Sequence, residues 1–214
     1  MKKLMIFSMI LFLALGITVN AQTDKGKLFL AGSYRLGINS GVEKQKYDGN
    51  VVSGSENSYF KFEYMDKLGY MVIDNLVAGL FIDLRFYNNK YKDDSYFYKS
   101  TTFIIGPFVR YYLPVTGSLK PYAEGQVGFG LDNSKDRHNT TDAWAKTNEG
   151  VFTYRLGGGV TYFFNDYVGA DLFMGYLHDS YKLKDSSSPE RSNDSKYIYN
   201  EFVMEIGIVV LIDH

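Results

Sequence analysis

From Lys27 to Leu211 the chain repeats one pattern: apolar residues alternate with small or polar ones, run after run. No run shows the i, i+3, i+4 spacing of an amphipathic helix. A period of two places successive side chains on opposite faces of a β-strand, so the chain is read as all-β. The hairpin within 103–130 shows the pattern most clearly. Phe103, Ile105, Pro107, Val109 and Tyr111 share one face, and Ile104, Gly106, Phe108, Arg110 and Tyr112 share the other. After a turn built on Pro114, Gly117 and Pro121, the residues Ala123, Gly125, Val127, Phe129 and Leu131 alternate with Glu124, Gln126, Gly128 and Gly130. One face is apolar; the other is small and polar and carries Arg110 and Glu124.

Eight such runs are predicted, over 27–38, 58–70, 76–87, the two arms of that hairpin, 151–164, 168–177 and 197–211. Their connections alternate in length. The segments 39–57, 88–96, 133–150 and 178–196 are long and rich in Asn, Asp, Ser and Lys, whereas 71–75, 113–120 and 165–167 are short. A soluble sandwich has no reason to gather its long loops at one end. Outer-membrane barrels do, with an even strand count, short periplasmic turns and longer outside loops. Strands of ~11 residues tilted near 45° cross the ~25 Å apolar band, and closure removes the unpaired edges that lipid cannot solvate. The expected fold is therefore an eight-stranded antiparallel up-and-down transmembrane β-barrel with long extracellular loops. An aromatic content of 17%, with 21 Gly and only 4 Pro, fits it. Tyr70, Tyr111, Tyr122, Tyr162, Phe164 and Tyr167 are expected in an inner-leaflet aromatic girdle; Tyr59, Phe86, Phe152, Tyr176 and Tyr199 in an outer one.

Residues 1–21 have the form of a signal peptide. Lys2 and Lys3 precede a short apolar run, and Val19 and Ala21 suit cleavage after Ala21. A retained anchor helix is the alternative, but the run falls short of the ~20 residues that span a bilayer. The barrel domain is then 22–214, in the outer membrane of a Gram-negative bacterium.

The stretches GYMVIDNLVAGL (69–80) and IGPFVRYYLPVTGSLKPYAEGQVGFG (105–130) resemble the small outer-membrane β-barrel proteins of Bacteroidota, broadly similar to the outer-membrane protein A and X type. The resemblance implies an eight-stranded barrel in the outer membrane and carries over no catalytic residue. Barrels of this type often end on an aromatic residue that the insertion machinery reads; Leu211, Ile212, Asp213 and His214 stand here instead.

The inward faces place a balanced set of charges in the lumen: Arg35, Lys61, Arg85, Arg110 and Arg155, together with Lys67, against Glu63, Asp83, Glu124, Asp171, Glu201 and Glu205. Ionisable groups at membrane depth must pair or be hydrated, and an eight-stranded lumen is just wide enough for side chains to fill. These residues are expected to plug the barrel; a proton or small-ion path along them is the other reading. Inward Phe108, Phe163 and Phe173 allow a third, passage of small apolar molecules. His178, Asp179 and Ser180, near Glu201, hold the parts of a nucleophilic hydrolase and faintly resemble the His-x-Ser of lipid A deacylases. Alternation puts His178 and Ser180 on the lipid side and Glu201 inside, so no enzyme and no catalytic residue is expected. With no Cys, and with His138 and His214 outside any ligand pattern, neither a metal nor a cofactor is expected. A net charge of −1 without basic patches gives no nucleic-acid partner. The expected partners are outer-membrane lipid, lipopolysaccharide and the barrel-insertion machinery; the ligand of the outside loops is not written in the sequence.

Overall fold

The computed structural model describes residues 23–35, 41–43, 46–47, 50–51, 57–91, 96–137, 143–186 and 196–213. The proposed signal peptide, His138 and His214 lie outside them. Eight strands form the wall: β1 Leu28–Arg35, β2 Asn57–Ile73, β3 Leu76–Tyr91, β4 Phe97–Tyr112, β5 Leu119–Arg137, β6 Ala145–Phe163, β7 Val168–Ser186 and β8 Lys196–Ile212. Each pairs antiparallel with its chain neighbours, and β1 closes the ring against β8. The short strand Gly41–Glu43 continues beside β2, and Lys46–Tyr47 pairs with Asn50–Val51 in the first long connection.

The ladders fix the barrel's dimensions. Crossing them from Ile212 through Leu28, Tyr70, Ala78, Val109, Gly125, Leu156 and Tyr176 returns to β8 at Phe202, ten residues lower in number. A stagger of ten over eight strands tilts them by about 41° and gives a backbone radius of about 8 Å. Side chains from opposite walls must then meet across the lumen, so the interior of the barrel is its core.

Alternation sorts the faces as expected. Phe29, Phe81, Phe108, Phe163 and Phe173 are buried inside, while Leu80, Phe129, Leu156, Ile208 and Phe202 lie outside, Phe202 88% exposed. Tyr70, Tyr111, Phe164 and Tyr167 are exposed at the end with the short turns. Two girdle assignments are corrected. Tyr122 is buried in the lumen, where its hydroxyl donates to Asp171 at 2.9 Å. Tyr199 lines the mouth of the barrel and meets Tyr181 edge-on at 5.7 Å. Both follow from parity, since each sits one residue out of step with the outward set of its strand. The side chain of Tyr59 lies outside the described residues.

The strands are also longer than expected. β5 reaches Arg137, β6 begins at Ala145 and β7 runs to Ser186, consuming much of the expected loops 133–150 and 178–196. At about 2.5 Å of height per tilted residue, the 19 residues of β5 rise about 45 Å against a ~25 Å apolar band. The surplus stands beyond the band on the long-loop side. There both faces are polar, so the hydrophobic alternation that marks a strand vanishes while its hydrogen-bond ladder continues.

At the other end, Asp74 and Asn75 make a two-residue turn with Asn75 left-handed (φ 65°), a conformation Asn tolerates. The N-terminal segment packs on it: Asn75 N–H donates to Thr23 O at 2.7 Å and Gly26 N–H to Met71 O at 2.9 Å. Beyond β8, Asp213 accepts from Lys27 at 3.2 Å and from the Tyr167 hydroxyl at 3.0 Å. The Lys27 hydrogen bond, then that of Tyr167, holds the Asp213 carboxyl below the usual aspartate range, and the same carboxylate pushes the Tyr167 phenol up.

Candidate functional site

Two tiers of charge occupy the lumen. In the lower one Arg110 of β4, 0% exposed, makes two parallel bonds of 3.0 Å to Asp171 of β7 and donates Nε–H to Glu124 of β5 at 2.7 Å. This fork geometry is the strong form of a charge-assisted hydrogen bond. Glu124 also accepts from Lys67 of β2 and Arg155 of β6, each at 2.6 Å. Asp171 accepts further from Tyr122 at 2.9 Å and Thr161 at 2.5 Å. The Arg110 guanidinium lies 3.8 Å from the Tyr122 ring centre, and that of Arg155 lies 4.1 Å from the ring centre of Phe173. Weakly hydrated, planar guanidinium suits this stacking better than ammonium would.

Arg155 joins the tiers by pairing with Glu205 of β8. Glu205 accepts from Arg35 of β1 at 3.3 Å; Arg35 also pairs with Glu63 at 3.0 Å and Asp83 at 3.6 Å. Arg85 of β3 donates to Asp83 at 2.8 Å and to Asp179 of β7 at 2.5 Å. Lys61 pairs with Glu63 at 3.2 Å, its side chain one-third exposed. From Asp171 to Asp179 charges of opposite sign follow one another, and every one of the eight strands supplies at least one.

Eleven of the twelve residues expected to share the lumen charge are thus brought together. Glu201 is not among them: it points inward by parity but stands exposed in the mouth, above the upper tier. Asp179 takes the sixth anionic place instead. The sequence presents it as one part of a loop triple, yet continuing the inward set 171, 173, 175, 177 by one step reaches it. Parity gives the side of the wall and not the height, which is why Glu201 and Asp179 exchange roles. Alternation also puts the neutral Tyr112, Thr161 and Gln126 on the inward face, without giving them the part they take in completing the lower tier; Gln126 accepts from Arg155 at 3.0 Å.

Above the upper tier the mouth opens into a vestibule of about 490 Å³. Its walls include Tyr98, Tyr181, Tyr197 and Tyr199, and Asp132 is held there by Ser100 at 2.5 Å and Thr102 at 2.6 Å. Arg85 and Asp179 form its floor, so it ends on the charge column.

The hydrolase parts are divided by the wall. Across β7 and β8, His178 is level with Asn200 and Ser180 with Ile198, whereas Glu201 is level with Leu177 on the opposite face. His178 stacks on Tyr154 at 4.7 Å and its Nδ1 lies 2.6 Å from Asn200 Oδ1. Asp179 is inside, bound to Arg85. Among the described residues, no carboxylate is bonded to His178 or Ser180 in a way that would activate a hydroxyl. Ser180→Ala is expected to leave the acyl content of the host's outer-membrane lipid unchanged by mass spectrometry; an altered acyl pattern would instead assign Ser180 a chemical role.

No protein-family model matches the chain, and no curated protein matches it. Among solved structures it is similar to the Neisserial surface protein A (TM-score 0.44, 17% identity, 86% of this chain and 96% of that one). It is also similar to the outer membrane protein OprG from Pseudomonas aeruginosa (TM-score 0.48, 15% identity, 91% of this chain and 100% of that one). A third is the N-terminal β-barrel domain of Pseudomonas aeruginosa OprF (TM-score 0.43, 13% identity, 88% of this chain and 98% of that one). At these identities the likeness concerns the fold alone.

Proposed function

We propose that the protein is a non-enzymatic outer-membrane barrel, closed to passage by its own side chains, that meets its surroundings through its mouth and outside loops, for binding or shielding. The signal peptide would deliver it across the inner membrane, and the insertion machinery would place it in the outer one. Support for the location is the closed sheet with a continuous apolar exterior, a form that buries no unpaired backbone in lipid.

The observation that carries the closed state is the charge column. Arg110 and Arg155 are fully buried, and Glu124, Asp171 and Glu205 tie them to five other strands. Opening a path would strip several buried charges of their partners at once, and each such loss is costly. The reading as a passage for small apolar molecules gains little from Phe108 and Phe173, because Lys67 sits 5.8 and 6.0 Å from their ring centres and closes the space between them.

Planar-bilayer recording of the refolded protein tests this. The expected result is a quiet membrane, with no steady conductance steps at moderate voltage. Stable, long-lived steps of uniform size would mean an open pore and would overturn the closed reading.

A further inference from the structure

Above the charge column the mouth holds an arrangement that the column does not use. Its tyrosines stand in two pairs. Tyr87 of β3 and Tyr98 of β4 meet edge-on with ring centres 5.8 Å apart, and Tyr181 of β7 and Tyr199 of β8 do so at 5.7 Å. In a closed ring of eight strands β3 and β4 are diametrically opposite β7 and β8. The pairs therefore face each other across the vestibule of about 490 Å³ that they line. A cavity of this size, with aromatic walls and a few polar groups, is the usual form of a small-ligand site.

The polar groups between these walls are acceptors, and their charge is negative. The lining cations are Lys61 and Arg85, and both are engaged, Lys61 by Glu63 and Arg85 by Asp83 and Asp179. Asp132 of β5 is 3% exposed and takes its hydrogen bonds from the uncharged hydroxyls of Ser100 and Thr102. It meets no cation among the described residues, and neither does Glu201 of β8, which stands exposed in the mouth. Asn89 of β3 adds a further acceptor. It stands on the inward face level with Tyr98 and is 6% exposed, and its Oδ1 has no hydrogen-bond partner among the described residues. Buried acceptors of this kind are uncommon, and the partner such an oxygen takes is an N–H or O–H donor.

We infer that the vestibule binds a linear organic cation with separated primary ammonium groups, a di- or polyamine. Its ammonium groups would donate to Asp132 and Glu201, and its methylene chain would lie between the tyrosine pairs. Each part of the site sets one property of the ligand. The carboxylates select positive charge. The ring faces attract an ammonium ion through their quadrupole and cover its methylenes. Asp132 and Glu201 stand three strands apart on different walls, so separated charges on one chain serve both better than a compact cation does. The inference rests on the reading of the mouth as a binding surface and deepens it, by naming the ligand class.

Spermidine is the probe. The full-length protein is refolded in an uncharged detergent, so that no anionic lipid competes, and titrated by isothermal calorimetry. Heat-dependent gel mobility checks that each variant is folded. Wild type is expected to take up spermidine saturably. Glu201→Gln, at an exposed position, should fold normally and weaken binding about tenfold, the worth of one hydrogen bond to a charged group. Adding Asp132→Asn should bring the loss to about a hundredfold. Tyr199→Leu should weaken binding several-fold by removing one ring face. Asp166→Asn, on a turn at the opposite end of the barrel, should leave it unchanged. Full affinity in Glu201→Gln, or no saturable heat from the folded wild type, overturns the site. Displacement of spermidine by equimolar magnesium would show a plain cation site and overturn the organic class. Neither result touches the closed lumen, which the conductance recording tests by itself. Steady steps there would overturn the closed reading while leaving saturable spermidine binding in place.

Discussion

Glu124→Gln is expected to destabilise the folded barrel by about 3–5 kcal/mol, the usual cost of removing one partner from a buried ion pair. The reason is local. Glu124 balances Lys67, Arg110 and Arg155 within 2.6–2.7 Å. Arg110 keeps Asp171 and Arg155 keeps Glu205 after the substitution. Lys67 keeps nothing comparable, since its one ion pair among the described residues is to Glu124. Lys67→Met alone should also be costly, by freeing Glu124 from its closest ammonium. Lys67→Met with Glu124→Gln removes one charge of each sign and should cost clearly less than the sum. Urea unfolding of the refolded barrel in lipid, read as a double-mutant cycle, measures this. Strict additivity would show that the two side chains do not act as a pair.

Gly106→Val should prevent closure between β4 and β5, and Gly106→Ala should already cost several kcal/mol. The β4–β5 ladder runs from Ile105–Phe129 to Phe108–Gln126, and Gly106 stands in the step between them, at closest approach. A Cβ on Gly106 would lie 2.0 Å from Val127 O and 2.6 Å from Gly128 Cα. Both are backbone atoms, which cannot swing aside as a flexible side chain can. A closed barrel has no free edge, so relief in this ladder would strain the seven others. Gly117→Ala is the matched control. Gly117 has a left-handed backbone (φ 96°) but open space around it, so its cost should be about 1 kcal/mol. Folding yield by the heat-dependent gel shift decides. If Gly106→Ala were no more harmful than Gly117→Ala, the close approach would not be a fixed element of the wall.

The parts of the molecule that the sequence disclosed and those it hid differ for physical reasons. Within the apolar band one face meets lipid and the other meets the charged interior, so alternation is sharp and the strand cores, their count and the short turns are legible. Above the band both faces meet water. Lys135 and Ser134 then look like loop residues, although they sit in ladders with Lys99 and Ser100. The same loss of contrast made Asp179 resemble a loop aspartate between His178 and Ser180. Apart from the exchange of Glu201 and Asp179, the charges of the column could be named from parity. Their partners could not, because pairing across a lumen depends on stagger, which brings Arg110 to Asp171 and Arg155 to Glu205 from strands that are not neighbours of every partner they serve. The stagger of ten is a property of closure and is carried by no single run.

The charge column also has a kinetic side. Arg35 and Glu205 are 170 residues apart in the chain and meet only at the β1–β8 seam. Arg155 relies on that same Glu205. Until the first and last strands join, these ions lack their counter-ions and must stay hydrated, so a partly zipped sheet cannot sink into hydrocarbon without carrying water with it. Crossing the membrane and joining the ends are thereby bound into one late, concerted step. Contacts this remote in sequence slow the search for the native state, and the protein should fold slowly and in one cooperative phase, its hairpins gaining protection together with the seam.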